Sequence, residues 1–143
     1  MPEAKRPDLA AMIVPLGRAL TAAELPVLER HNLTMWGYVV LLGLGDEPVY
    51  TQSALAKAIR ADKTRIIGVL DELQQRGLIH RAPDPADRRA HLVSLTPAGR
   101  STRERAQREI HEQEDRLLAQ LSPADRRAFL RALQTLTAAT TQQ

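Results

Sequence analysis

The chain has 143 residues, 43% of them hydrophobic; this supplies one domain or two small layers sharing a core, and excludes a disordered tail. Its net charge is only +3, yet its pI is near 9.8 and arginine dominates its basic residues, a balance suited to a partner rich in phosphate or carboxylate. The absence of cysteine excludes disulfides, thiol catalysis and thiolate metal sites, and four aromatics (Trp36, Tyr38, Tyr50, Phe129) are too few for the stacking platforms of single-strand and RNA binders, so duplex DNA fits better.

The longest apolar run, about Tyr38 to Leu44, is shorter than the roughly 20 residues of a membrane span. No apolar stretch follows the N-terminal charges as in a signal sequence, so a cytoplasmic protein is expected.

Apolar residues at Leu9, Met12, Ile13, Leu16, Leu20, Val27 and Leu28 predict a first helix to about Arg30, with a kink or break at Pro15 and Pro26. Thr34 caps a strongly apolar second helix carrying Trp36, Tyr38 and Val39 to Leu44, which Gly43, Gly45 and Pro48 end. Thr51 is placed to cap a short third helix with Leu55, Ala56 and Ile59 as its buried stripe. After a turn at Ala61-Asp62, Asp62 caps a fourth helix whose core face is Ile66, Ile67, Leu70 and Leu73 and whose end is Gly77.

Leu78 to Arg81 and His91 to Leu95 read as short strands, joined by a projecting loop that Pro83, Pro85, Asp84 and Asp87 keep from being helical. Thr96-Pro97 opens a long fifth helix to about Leu121, charged almost all round from Arg100 to Arg116, which predicts a solvated strut. Ser122-Pro123 starts a last helix with Ala128, Phe129, Ala132, Leu133, Leu136 and Ala139 on one stripe. Two short helices, a basic hairpin and a capped helix start form, in that order, the layout of a winged helix-turn-helix. Such a unit sets one helix in the major groove and an arginine-bearing loop beside it.

The chain resembles the MarR family of bacterial transcription regulators. The resemblance covers nearly all of it and is sharpest from Leu55 to Gly99, above all in Asp-Pro-Ala-Asp-Arg-Arg at 84 to 89 and Leu-Thr-Pro-Ala-Gly at 95 to 99. It implies a mainly α (α+β) fold, a winged helix-turn-helix with a helical dimerisation region formed by the N- and C-terminal helices. Residues 1–33 and 96–143 would dimerise, residues 34–95 would form the DNA-binding lobe, and two lobes would read a palindrome.

Carried over by position, Asp62, Lys63, Thr64 and Arg65 match the exposed start of the recognition helix. Arg89 matches the wing-tip arginine, and Asp87 the partner that steadies its guanidinium. The chemistry agrees, because a helix N-terminus favours phosphate and an arginine can engage guanine bidentately or enter a narrow minor groove. Arg81 and Arg88 are expected to touch phosphates, while for Thr51, Gln52 and Ser53 capping and phosphate contact both stay open.

The chain departs from the family pattern at Arg60, where a turn glycine is usual, at Ile67, where a small hydroxyl residue is common, and at Gly68, where an arginine is common. Arg65, three residues before Gly68 on nearly the same face, could serve in that arginine's place.

Of the histidines His31, His80, His91 and His111, His80 and His91 flank the hairpin and are the pair able to approach one another, but two ligands do not close a zinc site. Trp36 sits on the apolar second helix, where core packing is the default; the resemblance offers the alternative of a small aromatic or anionic effector at Trp36, with Arg18 and His31 as further candidates. The expected function is a duplex-DNA-binding regulator, a homodimeric repressor relieved by a small molecule and nucleoid-associated when bound. The alternative is a winged-helix assembly module without specific DNA binding. No catalytic constellation or cofactor site can be assembled from these residues.

Overall fold

A computed structural model describes residues 5–45 and 50–141. Helices α1 (Leu9–Arg30), α2 (Met35–Leu44), α3 (Gln52–Ala58) and α4 (Lys63–Gln75) precede the hairpin of β2 (Ile79–Asp84) and β3 (Asp87–Leu95). Helices α5 (Pro97–Leu118) and α6 (Pro123–Thr141) follow it. A two-residue strand, β1 (Tyr50–Thr51), pairs antiparallel with β3 on the side away from β2, giving sheet order β1-β3-β2. The chain gathers into two units, Met1–Glu109 and Ile110–Gln143.

The first unit has a core of Val27 and Leu28 from α1, Tyr38, Val40, Leu41 and Leu44 from α2, Leu55 from α3, Ile66, Leu70 and Leu73 from α4, and Val93 from β3. Local hydrogen bonds set the helix starts. The hydroxyls of Thr34, Thr51 and Thr96 accept from the N–H groups of Gly37, Ala54 and Gly99, each at 3.0 Å. In the second unit the Ser122 hydroxyl accepts from Asp125 N–H at 3.1 Å.

Helices α1, α3 and α4 end in the same way. The residue after the C-cap, Asn32, Arg60 or Gly77, takes φ of 55°, 55° or 70°. The next N–H reaches back to the carbonyl of Leu28, Ala56 or Leu73, closing a Schellman motif with an apolar pair across it. Arg60 is the costly member, because its Cβ crowds the backbone in this left-handed region where glycine would not.

Several expectations are corrected. Helix α1 runs unbroken through Pro15 and Pro26, both on exposed positions, as are Ala11 and Ala22, whose carbonyls lose their helical donor, so the missing bonds do not fall in the core. It is also long and apolar enough, by length and composition, to cross a membrane, with a mean hydropathy of 1.4 over its best window. A count of uninterrupted apolar residues misses this, because Pro15, Gly17, Arg18, Thr21 and Glu24 break the run. Gly43 lies inside α2, where an added Cβ would meet Ile59, the residue that caps α3, at 2.5 Å, and Gly45 forms the cap of α2; Pro48 lies outside the described residues.

Ile67 is 47% exposed, because the burial of Ile66, Leu70 and Leu73 turns the neighbouring position outward. Helix α5 ends at Leu118 and is not solvated all round, since Thr102, Arg103 and Ala106 are buried on one stripe. The strands run almost to the tip, so the expected loop shrinks to Pro85-Ala86 between Asp84 and Asp87, with an irregularity after Pro83.

Gly99, in the first turn of α5, lies against the root of the wing, where a Cβ would fall 1.9 Å from the Leu78 carbonyl oxygen. Gly99→Ala should therefore lower the unfolding free energy by about 3 kcal/mol in urea titration. Arg60→Gly should raise it by about 1 kcal/mol by relieving the left-handed side chain.

Candidate nucleic-acid interface

Helices α3 and α4 meet at the left-handed turn of Arg60, and α4 begins where the Asp62 carboxylate accepts the Thr64 N–H at 3.1 Å. Asp62 is thus the cap of this helix. Behind it Lys63, Thr64 and Arg65 are exposed on the first turn, where the helix dipole favours negative charge. Ile67 and Gly68 continue the open face, and a Cβ at Gly68 would meet nothing within 4 Å. Of the three residues at the start of α3, Thr51 caps, Gln52 accepts from Arg81 at 3.5 Å, and Ser53 is exposed.

The wing tip is built by its two aspartates. Asp84 Oδ1 accepts the Ala86 N–H at 2.9 Å, and Asp87 Oδ1 accepts the Arg89 N–H at 3.0 Å. Asp87 therefore steadies Arg89 through its backbone rather than its guanidinium, because the side chain of Asp87 folds back onto the next turn. Arg88 and Arg89 are exposed. His80 pairs with Ser94 and His91 with Pro83, so the two histidines do not face one another.

Arg81 departs most from expectation. Its Nη2 donates to Asp71 Oδ1 at 2.5 Å and its Nε to Gln74 Oε1 at 2.6 Å, both on α4, and its side chain is only 18% exposed. A guanidinium held this way joins β2 to α4 and, through Gln52, to α3. Nothing in local pattern marks Asp71 and Gln74 as its partners; only the hairpin register carries Arg81 to them.

Among the described residues, Arg18, His31 and Trp36 share no hydrogen bond, ion pair or ring contact with one another. Arg18 is exposed on α1, and the Trp36 ring lies beneath the Arg65 guanidinium, whose Cζ is 5.4 Å from the ring centroid. His31 Nε2 is 2.9 Å from Glu109 Oε1 on α5, and Arg30 grips Glu109 Oε2 through Nη2 at 2.8 Å and Nε at 3.3 Å. The hydrogen bonds from Arg30 and then His31 hold the Glu109 carboxyl below the usual carboxylate range, against a smaller opposing effect of desolvation. Arg76, at the end of α4, donates to the carbonyls of His31 and Asn32. A cleft of about 340 Å³ beside the wing root is lined by Leu95, Thr96, Pro97, Arg100, Ser101 and Glu104.

Residues 33–91, from the end of α1 to the wing, match the model of the MarR family. Over 110 residues the chain is 33% identical to the regulatory protein assigned to the hcr operon of Thauera aromatica, which covers 77% of this chain and 66% of that one. The chain belongs to the MarR family.

A second relative, the transcriptional repressor NicR of Pseudomonas putida, is 38% identical over 68 residues, 48% of this chain and 43% of its own. The matched stretches thus span two thirds or less of these curated relatives. The solved structure of NadR in complex with 4-hydroxyphenylacetate superposes with a TM-score of 0.79 at 22% identity, covering 99% of this chain and 98% of that one. This MarR-family chain is a DNA-binding transcription regulator with a winged helix-turn-helix fold.

Arg81→Ala should cost about 2 kcal/mol of stability in urea titration, because it leaves Asp71 and Gln74 without their donor and unties the wing from α4. A double-mutant cycle with Asp71→Ala should return a coupling well above that of an exposed pair, since Arg81 is largely buried. For Glu109, whose folded pKa lies below its unfolded one, the stabilisation is present above the ordinary carboxylate range and lost as pH falls through the folded value. The gap in unfolding midpoint between the wild type and Glu109→Gln should therefore be full at neutral pH and close in acid.

Proposed function

We propose that this regulator is a homodimeric repressor that binds a pseudo-palindromic duplex operator and is released by a small aromatic or anionic effector. The observation that carries the DNA side is a division of labour among cations. Arg81 and Arg76 are held by protein partners, whereas Lys63, Arg88 and Arg89 make no side-chain hydrogen bond or ion pair among the described residues. These exposed cations lie at the start of one helix and the tip of one hairpin, the two elements a winged unit offers to a major groove and the groove beside it.

On this reading Lys63 and Arg88 neutralise phosphates, Arg65 and the outward face of α4 meet base edges, and Arg89 enters the minor groove, where A·T-rich narrowing draws a guanidinium in. Asp62 and Asp87 shape the backbones that present these cations. Residues 34–95 then form the reading lobe, and residues 1–33 and 96–143 the dimerisation region. Leu9, Ile13 and Leu25 on α1 and Leu133 and Leu136 on α6 are each about half exposed in one chain, which favours burial against a second copy. Pro15, Gly17, Arg18 and Glu24 inside α1 favour a dimer helix over a membrane span. Such a protein works in the cytoplasm, at the nucleoid when bound to DNA, and needs neither cofactor nor catalysis.

The complex of NadR with 4-hydroxyphenylacetate supports this effector class, and the cleft with Arg100 and Ser101 offers a carboxylate both charge and hydroxyl. Effector binding weakens DNA binding only by its preference for the DNA-free state, about 1.4 kcal/mol for each tenfold loss.

Arg89→Ala should leave fold and dimer intact and weaken operator binding by about 1 to 3 kcal/mol, whereas Lys63→Ala should weaken all duplexes alike and lower the salt slope by about one. Half-sites should lie roughly 10 bp apart, centre to centre. A stable monomer by sedimentation at micromolar concentration, or duplex affinity indifferent to salt, would exclude this reading and favour an assembly module.

A further inference from the structure

Trp36 is half-buried at the second position of α2, with one ring face given to the guanidinium of Arg65. Arg65 is the only arginine within α4. It is exposed and makes no hydrogen bond or ion pair among the described residues, so the indole is the partner that holds it. One turn further on, Gly68 offers no side chain and open space, and Ile67 presents only carbon. The donors available to a base edge at this register are therefore those of Arg65.

A planar guanidinium that stacks uses its face, while its five N–H donors lie in the plane, at the edge. Stacking on indole therefore leaves intact the paired donors that engage O6 and N7 of guanine. An unstacked arginine loses most of its rotamer freedom when it docks, but one already resting on a ring fixed by two torsions loses much less.

We propose that Trp36 is a specificity-determining positioning residue: its indole holds the Arg65 guanidinium edge-out, so that one G·C pair in each half-site is read through a stacked arginine. The proposal rests on the assignment of α4 as the reading helix. It gives Trp36 a role in recognising DNA rather than effector.

The test selects duplexes from a random pool with the full chain as wild type, Arg65→Ala, Trp36→Leu and Trp36→Phe, each first checked for a cooperative unfolding transition. Leucine keeps the apolar packing of Trp36 but has no π face, and phenylalanine restores one. The wild type should enrich a symmetric site, and Arg65→Ala should lose its preference at one G·C pair per half-site. Trp36→Leu should lose preference at that same pair by roughly tenfold. Its binding to unrelated duplex and its salt slope should hold within about twofold, with partial recovery in Trp36→Phe. The unaltered protein gives a second readout, because Trp36 is the sole tryptophan: its emission should change with the matched duplex more than with one carrying A·T at that pair.

If Trp36→Leu keeps full preference, loses it elsewhere, or binds more tightly, the proposal falls while the DNA-reading assignment stands. An emission change that ignores the G·C pair counts against it equally, even if Trp36→Leu fails to fold. If the wild type enriches no site at all, the assignment of α4 falls and takes the proposal with it.

Discussion

The interface depends on a backbone crossing where α4 passes into the wing and the wing passes into α5. The Leu78 carbonyl accepts the Thr96 N–H at 3.2 Å, the Thr96 hydroxyl donates to the Gly77 carbonyl at 2.6 Å, and the same hydroxyl accepts from Gly99. A methyl group at Gly99 would collide with Leu78. One residue thus closes a helix end, opens another and pins both strands of the hairpin, so the wing leaves α4 along a set path. Arg81 adds a second tie further along, and the two fix the tip relative to the first turn of α4.

Rigidity at the root matters because groove recognition needs donors in place before contact. The protein divides its arginines accordingly. Arg81, only 18% exposed, is matched to carboxylate and amide oxygens, so its largely desolvated guanidinium keeps its hydrogen bonds, and the exposed Arg76 is matched to two backbone carbonyls. Arg88 and Arg89 at the wing tip, by contrast, make no side-chain hydrogen bond or ion pair among the described residues. The net charge of +3 says little about this arrangement, since acidic residues such as Asp71 and Glu109 balance cations that never leave the protein surface.

His31 and Arg76 set up a further connection inside the first unit. The His31 ring faces Glu109 on α5, while its own carbonyl and that of Asn32 receive Arg76 at the end of α4. The turn after α1 is therefore held from two sides, and its left-handed Asn32 keeps both carbonyls pointing outward. The same turn thus links α5, through Glu109, to the end of α4, through Arg76.

Caps and turns were legible from the chain alone because their hydrogen bonds close within two or three residues: Thr34, Thr51, Asp62, Thr96 and Ser122 each cap the helix that the local pattern assigns to them. The wing motif and its flanking helices were legible for the same reason, and with them the family. Tertiary structure alone decided which cations are free. Arg81 and Arg89 look alike in sequence, yet the partners of Arg81 lie seven, ten and 29 residues away. It also decided that Trp36 lies against Arg65, that Ile67 faces out and that α5 buries a stripe, because a side chain's surroundings come from elements brought together by packing. The apolar stripe of α6 was visible in the sequence, and only the tertiary structure decided that it stays exposed in a single chain, because no element of the described fold packs over it.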